Sequence, residues 1–273
     1  MKLSLVLSTH QAQFEAVALR GDLSANVAKI AAWGYDGVEL AIRDPSLVDG
    51  LELARAVKAH GLAVPAIGTG QAWGEEGLSF TSSDDGVRAA AIDRVKAHVP
   101  VAAQLDAIII IGLLRGMTPQ GQTHAQSMAY FAEAMTVCAH EAEAAGVRLV
   151  IEPLNRYETD LLHTVADGMA FLDGVGYDNV GLLLDTFHMN IEEPSIVESI
   201  RTCGDRIFHF HVADSNRWYP GAGHIDFASV LATLDEIGYT GYVSGEFLPL
   251  PDAATAGQRA IAHLRGIPLG PNT

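Results

Sequence analysis

The sequence predicts an α/β chain whose eight parallel strands close into a (β/α)8 barrel, and three observations carry that prediction. Short apolar runs bounded by turn residues recur eight times, with amphipathic helical stretches between them. The runs are hydrophobic along nearly their whole length instead of alternating, the pattern of a parallel sheet buried on both faces. Eight such units fill 273 residues, which suits a closed barrel, with an open doubly wound sheet as the alternative architecture.

The first strand is expected at Lys2–Ser8, within "MKLSLVLSTHQAQ". Its short apolar run is broken by serines and meets no small-residue cleavage site, so it reads as a strand and not as a signal peptide. Further strands are expected at Gly37–Ile42, Ala63–Gly68, Ala107–Leu113, Arg148–Leu154, Val180–Thr186, Ile207–Asp214 and Tyr242–Phe247. Several follow a glycine that ends the preceding helix, as in "AAWGYDGVEL", "AHGLAVPAIG", "AEAAGVRLVIE" and "LDEIGYTGYVSGE". One helix start is explicit in "SSDDGVRAAAIDRVKAH", with capping Ser and Asp followed by a stripe of Val87, Ala91 and Val95. The polar segment Arg115–Gln126 is expected to be a loop over the barrel mouth. No linker or shift in composition divides the chain, so residues 1–273 are expected to form a single catalytic domain.

Seventeen Lys and Arg face 33 Asp and Glu, a formal net charge of −16. With no basic patch, a nucleic-acid partner is not expected. No apolar stretch approaches a membrane span. Cys138 and Cys203 form no C-x-x-C pair, which fits a reducing, cytoplasmic setting.

Barrel chemistry sits where strands end. The fifth strand ends in Glu152 ("VIEP"), the sixth in Asp185 and then His188 ("LLLDTFH"), the seventh in His211 and Asp214 ("FHFHVAD"), the eighth in Glu246 ("VSGEF"). His209 and His211 share a face by period two, so periodicity does not separate them; His211 is preferred because it is nearer the strand's end. Any one of these residues alone is as readily a helix cap, a surface acid or a core histidine. Together, three carboxylates and one imidazole converging on a buried rim repel and desolvate one another unless a cation meets them. Glu152, Asp185, His211 and Glu246 are therefore the expected ligands of one divalent metal. Their oxygen-rich chemistry ranks Mn2+ or Mg2+ first and leaves Co2+ or Zn2+ possible. Glu158, His188 and Arg217 follow strands five to seven within reach of the same mouth, where a surface ion pair, a cap and a solvated charge are the competing explanations. Trp73, Phe187 and Trp218 are candidates for shielding the site from water.

The stretches "IEPLNRYETD", "LLLDTFHMNIEE", "FHFHVADSNR" and "VSGEF" resemble the ketose 3-epimerases, the D-tagatose and D-psicose 3-epimerase group within the xylose-isomerase-like TIM barrels. "MKLSLVLST", "VELAIRDPSLVD" and "AIGTGQA" resemble one branch more closely, the 5-keto-L-gluconate epimerases. The resemblance spans essentially the whole chain, and "DTFHMNIEE" is its most specific motif. It implies one Mn2+-type ion on the four rim residues, proton transfer by Glu152 and Glu246, and substrate contacts from Glu158, His188 and Arg217. It also implies a homodimer or homotetramer.

The implied chemistry needs that arrangement. A C–H next to a ketone is too weakly acidic for a free carboxylate. A metal bound to the carbonyl and the adjacent hydroxyl stabilises the cis-enediolate, and inversion then needs a proton removed on one face and returned on the other. The expected substrate is a keto-sugar acid of the 5-keto-L-gluconate to D-tagaturonate type, with Arg43, Arg115 or Arg217 meeting its carboxylate. An uncharged ketohexose such as D-tagatose or D-psicose is the alternative. Rival functions are an aldose–ketose isomerase on the same metal, a non-catalytic sugar or metal sensor, and a three-zinc DNA-repair endonuclease. The last is disfavoured by the acidic charge and by strand ends "AIGTGQ" and "IIGLLRG", which carry no histidine.

Overall fold

The computed structural model describes residues 1–268; the last five residues of the expected 1–273 domain lie outside the described residues. Its strands are β1 (Lys2–Ser8), β2 (Leu19–Arg20), β3 (Gly37–Ala41), β4 (Ala66–Gly68), β5 (Ile108–Ile111), β6 (Leu149–Ile151), β7 (Val180–Asp185), β8 (Ile207–Val212) and β9 (Tyr242–Gly245). Each barrel strand pairs in parallel with the next, and β9 pairs back onto β1, closing an eight-stranded barrel. The two-residue β2 adds to β1 outside that ring. All eight expected strands are present, and most are shorter than predicted at the rim because the chain leaves the ladder at its polar residue. Glu152 and Glu246 stand one position beyond β6 and β9, and Asp185 is the last residue of β7.

The glycines read as helix stops, Gly34, Gly61, Gly146 and Gly238, all have φ between 68° and 91°, the left-handed geometry that a side chain resists. The helix expected from "SSDDG" runs Asp85–Leu105, capped by the Asp84 side chain, with Ala91 and Val95 buried and Val87 half-buried. The Arg115–Gln126 segment is not one loop. Leu113–Arg115 forms a 3-10 turn and a helix starts at His124 under a Thr123 cap. Between them the chain is pinned to its neighbours, since Thr81 and Thr159 donate to the carbonyls of Met117 and Gly116, and Asp160 accepts from Thr118 N–H.

Most of the core lies between barrel and helices. A smaller cluster of Ala66, Ile108, Ile110, Val150 and Leu183 packs together on the strands themselves. Period two then carries Val150 to Glu152, Leu183 to Asp185 and His209 to His211. A register shift between Leu182 and Leu183 sets the histidine phase, because Leu182 pairs with Ile207 but Leu183 with His209. Gly181 makes room there: a Cβ would stand 2.5 Å from the Phe208 ring and 2.8 Å from the Arg206 carbonyl.

Candidate functional site

Register brings the rim residues together. Asp185 pairs directly with His211, and His211 with Ser244, two residues before Glu246. One ligand atom each from Glu152, Asp185, His211 and Glu246 falls within 4.8 Å of all the others. His211 Nδ1 is 3.9 Å from both Glu152 Oε1 and Glu246 Oε2. The four residues stand at the ends of four successive strands, and a pocket opens above them, lined by Glu152, His211 and Glu246 together with Phe14, Thr69, Glu158, His188 and Arg217.

A divalent cation fits these residues on their own showing. Glu152 Oε1, Asp185 Oδ2 and His211 Nδ1 are buried and have no hydrogen-bond partner among the described residues, a cost that folded proteins rarely leave uncompensated. The other Asp185 oxygen accepts from Phe187 N–H at 2.8 Å and caps the helix Thr186–Glu192. Asp185 is thus both the helix cap that its sequence allows and a member of the cluster. A donor set of carboxylate oxygens and one imidazole nitrogen suits a hard or borderline ion.

His211 keeps Nδ1 free because its Nε2 faces both oxygens of Glu39 at 3.0 Å. His209 Nε2 meets the same carboxylate at 2.7 Å. Glu39, His209 and His211 also lie close enough to hold a metal, but their short contacts are hydrogen bonds within the protein. This carboxylate–histidine pair fixes ring orientation behind a ligand nitrogen. Of the two histidines, His211 is the one grouped with Glu152, Asp185 and Glu246, and Glu39 stands behind it without a motif of its own. Its signal was an isolated acid inside the apolar "GVELA" run.

The electrostatics follow from burial and proximity. Burial and the facing Glu246 raise the Glu152 carboxyl well above the carboxylate range, partly offset by His211. Burial lifts Asp185 and takes Glu246 to about 7, where His211 and Arg217 hold it back. His211 is raised well above its ordinary value: burial opposes this, and Glu39 overrides it. Glu39 is lowered, because His211 and His209 outweigh its burial. His188 falls well below the usual imidazole value through burial and then Arg217, so it is neutral.

The three substrate candidates reach the site. Arg217 donates to Glu158 Oε1 at 2.6 Å and lies 3.6 Å from Glu246 Oε2. Its backbone is left-handed at φ 60°, inside a turn organised by Asp214. Asp214 faces away from the cluster and accepts from Ser215, Gly221 and Ile225 N–H. Gly223 lies against it, where a Cβ would stand 2.3 Å from Asp214 Oδ1. His188 turns Nε2 inward, 3.7 Å from Glu152 Oε1.

Other expectations change. Arg43 is paired with Glu75 and Glu76. Arg115 is wholly buried and donates to the Glu152 carbonyl, so it lies beneath the rim and not over the mouth. Phe187 stacks under the Arg217 guanidinium at 4.7 Å, and Trp73 lines a groove at the mouth with Phe14, Tyr157 and Leu248. Trp218 packs on the core. No helix among the described residues is long and apolar enough to cross a membrane.

Comparison with known proteins shows the fold and the family. Residues 27–265 match the family model for xylose isomerase-like TIM barrels. The L-ribulose 3-epimerase of Mesorhizobium japonicum is 34% identical over 88% of this chain and 80% of its own length. The D-psicose 3-epimerase of Agrobacterium fabrum is 36% identical over 80% of this chain and 76% of its own. The structure of D-psicose 3-epimerase with D-tagatose from Clostridium cellulolyticum H10 superposes with a TM-score of 0.84 at 26% identity, covering 99% of this chain and all of that one (100%). These relatives do not single out the 5-keto-L-gluconate branch. The chain belongs to the xylose isomerase-like TIM barrels and, within them, to the ketose 3-epimerase family, sugar epimerases of the isomerase class.

Proposed function

We propose that the chain is a metal-dependent 3-epimerase of an uncharged ketose, of the D-psicose, D-tagatose or L-ribulose type. The observation that carries this is the placement of Glu152 and Glu246 at opposite ends of the four-residue cluster, with two strands between theirs and the pocket above them. The cation, Mn2+ in this reading, supplies Lewis-acid stabilisation of negative charge beside the ketone when bound. Glu152 and Glu246 exchange the proton of the adjacent carbon, each acid or base according to direction. His188 Nε2 and the Arg217–Glu158 pair orient the sugar oxygens.

A sugar-acid substrate needs a free cation for its carboxylate. Arg43 and Arg217 are each held by protein carboxylates, and Arg115 is buried on the Glu152 carbonyl. This favours the neutral ketose over 5-keto-L-gluconate. Burial of both free cysteines accords with a cytoplasmic setting, and a homodimer or homotetramer is the expected assembly, measurable by light scattering.

The test is a Mn2+-supplemented screen of ketohexoses, ketopentoses and 5-ketogluconates, followed by NMR in D2O. A 3-epimer with deuterium at the inverted carbon is the expected product. An aldose would make the enzyme an isomerase, and turnover restricted to ketogluconates would restore the sugar-acid reading.

A further inference from the structure

Two histidines face the cluster, and their outer hydrogen bonds sort them into opposite roles. His211 meets a carboxylate acceptor at Nε2, so Nδ1, which has no partner among the described residues, is the nitrogen left to face a cation. His188 is wired the other way. The backbone N–H of Asn155, which can only donate, points at His188 Nδ1 at 3.3 Å. The Asn155 side-chain amide meets the same nitrogen at 2.7 Å. Its orientation is fixed independently: Oδ1 accepts from Tyr157 N–H at 3.0 Å, so Nδ2 is the end that faces His188. Nδ2 has two hydrogens, and the second goes to Glu158 Oε1 at 3.0 Å. Asn155 is 1% exposed and His188 equally so, so water does not compete for these bonds.

We propose that Asn155 is a positioning residue that locks His188 in the Nε2–H tautomer, making it an obligate hydrogen-bond donor to a substrate oxygen. Nε2 is buried, has no partner among the described residues and lies 3.7 Å from Glu152 Oε1 and 4.0 Å from Asp185 Oδ2. A neutral donor there stabilises developing negative charge on oxygen without adding a proton that the glutamates would exchange. A lone pair at the same place would repel that oxygen. Through its second hydrogen the same amide ties His188 to the Glu158–Arg217 pair, so the donor and the polar clamp hold one spacing.

The kinetic arm of the test rests on the proposed epimerase reading; the spectroscopic arm does not. Long-range 1H–15N spectra of histidine-labelled, Mg2+-loaded enzyme, assigned with His188→Gln, should show His188 protonated at Nε2 only. Asn155→Asp puts a carboxylate oxygen against Nδ1 and should draw a proton there. A misplaced charge-stabilising donor costs about 10²–10³ in turnover, so kcat/KM should fall by that factor while Mn2+ affinity stays within about twofold. Asn155→Ala keeps the backbone donor, and with it the tautomer, and should lose only about tenfold, the worth of one ordinary hydrogen bond. A proton on Nδ1 of His188 in the wild type overturns the proposal, as does full kcat/KM in Asn155→Asp with Nδ1 protonated. Should Asn155→Asp not fold, the wild-type and Asn155→Ala spectra decide the tautomer. If no ketose is turned over, the epimerase reading fails and the spectra still decide this one.

Discussion

Replacing Glu39 with Gln should loosen the metal, because Glu39 decides which nitrogen of His211 is free. Its carboxylate accepts from His209 at 2.7 Å and from His211 at 3.0 Å. An amide keeps one acceptor oxygen, puts an NH2 that only donates in place of the second, and loses the negative charge that backs both rings. His211 Nε2 lies 3.0 Å from both carboxylate oxygens, so in either orientation it meets the NH2 as well. If the NH2 faces His211, Nε2 must become the acceptor, and the proton moves to Nδ1, the atom 3.9 Å from Glu152 and Glu246. Loss of such an outer partner costs about 10–100-fold in metal affinity. Thermal denaturation with Mn2+ at about 100 times the wild-type Kd reads this directly, since binding then adds about 2.7 kcal/mol to wild-type stability. At about 2.1 cal/mol/K per residue, 273 residues melt with an entropy of about 0.57 kcal/mol/K. The wild-type Tm should therefore rise by about 5 °C. In Glu39→Gln the same Mn2+ adds only about 0.4–1.4 kcal/mol, or about 0.7–2.5 °C. A folded Glu39→Gln protein with the full Mn2+ shift would refute the reasoning.

Three further outcomes follow from the same site. Glu152→Gln and Glu246→Gln should each lower turnover by about 10²–10⁴, and one of the two should still wash deuterium into the substrate; undiminished epimerisation in both would sink the two-base scheme. The pH dependence should reverse with the metal. Glu152 is raised well above its ordinary value and Glu246 reaches about 7, so these two carboxyls hold protons in the metal-free fold that they would give up in the unfolded chain. Their contribution to stability is full below the ordinary carboxylate range and is lost as pH rises through about 7, whereas Mn2+ displaces those protons and binds more tightly as pH rises. Urea titrations with and without EDTA from acid to mildly alkaline pH would separate the two trends. Gly112→Ala would place a Cβ 2.8 Å from Glu152 Oε2. The carboxylate should yield before the fold does, so turnover should drop by about 10²-fold with little change in the metal-free Tm.

Much of this site was legible because barrel geometry turns strand ends into spatial neighbours. Glu152, Asp185, His211 and Glu246 each close an apolar run, and no contact had to be guessed once the runs were taken as adjacent staves. The helix-stopping glycines were legible for a local reason, the positive φ that the αβ turns demand. Residues acting behind the ligands were not. Glu39 looks like one acid in a buried strand until closure of the barrel sets β3 within reach of β8. Arg115 read as a mouth residue because the polar run after it suggested a loop, yet the 3-10 turn folds it under Glu152. Asn155 had no signal of its own, since its role depends on where His188 points.

The two proposed proton carriers are unequal, and the inequality has a physical source. Arg217 lies 3.6 Å from Glu246 and lowers its proton affinity, while burial raises both carboxyls and Glu246 opposes ionisation of Glu152. The guanidinium nearest Glu152, that of Arg115, bonds the backbone carbonyl and not the carboxylate. Like charges facing one another across a dry site cannot both ionise easily, so their proton affinities are pushed apart. One proton shared between two opposed glutamates leaves one acid and one base. Inverting a carbon by removal on one face and delivery on the other requires that state in either direction, with the sites exchanging roles. In the proposed two-base scheme unequal access to a single arginine sets that state, and Arg217→Ala should therefore narrow the difference between the Glu152→Gln and Glu246→Gln exchange rates in D2O.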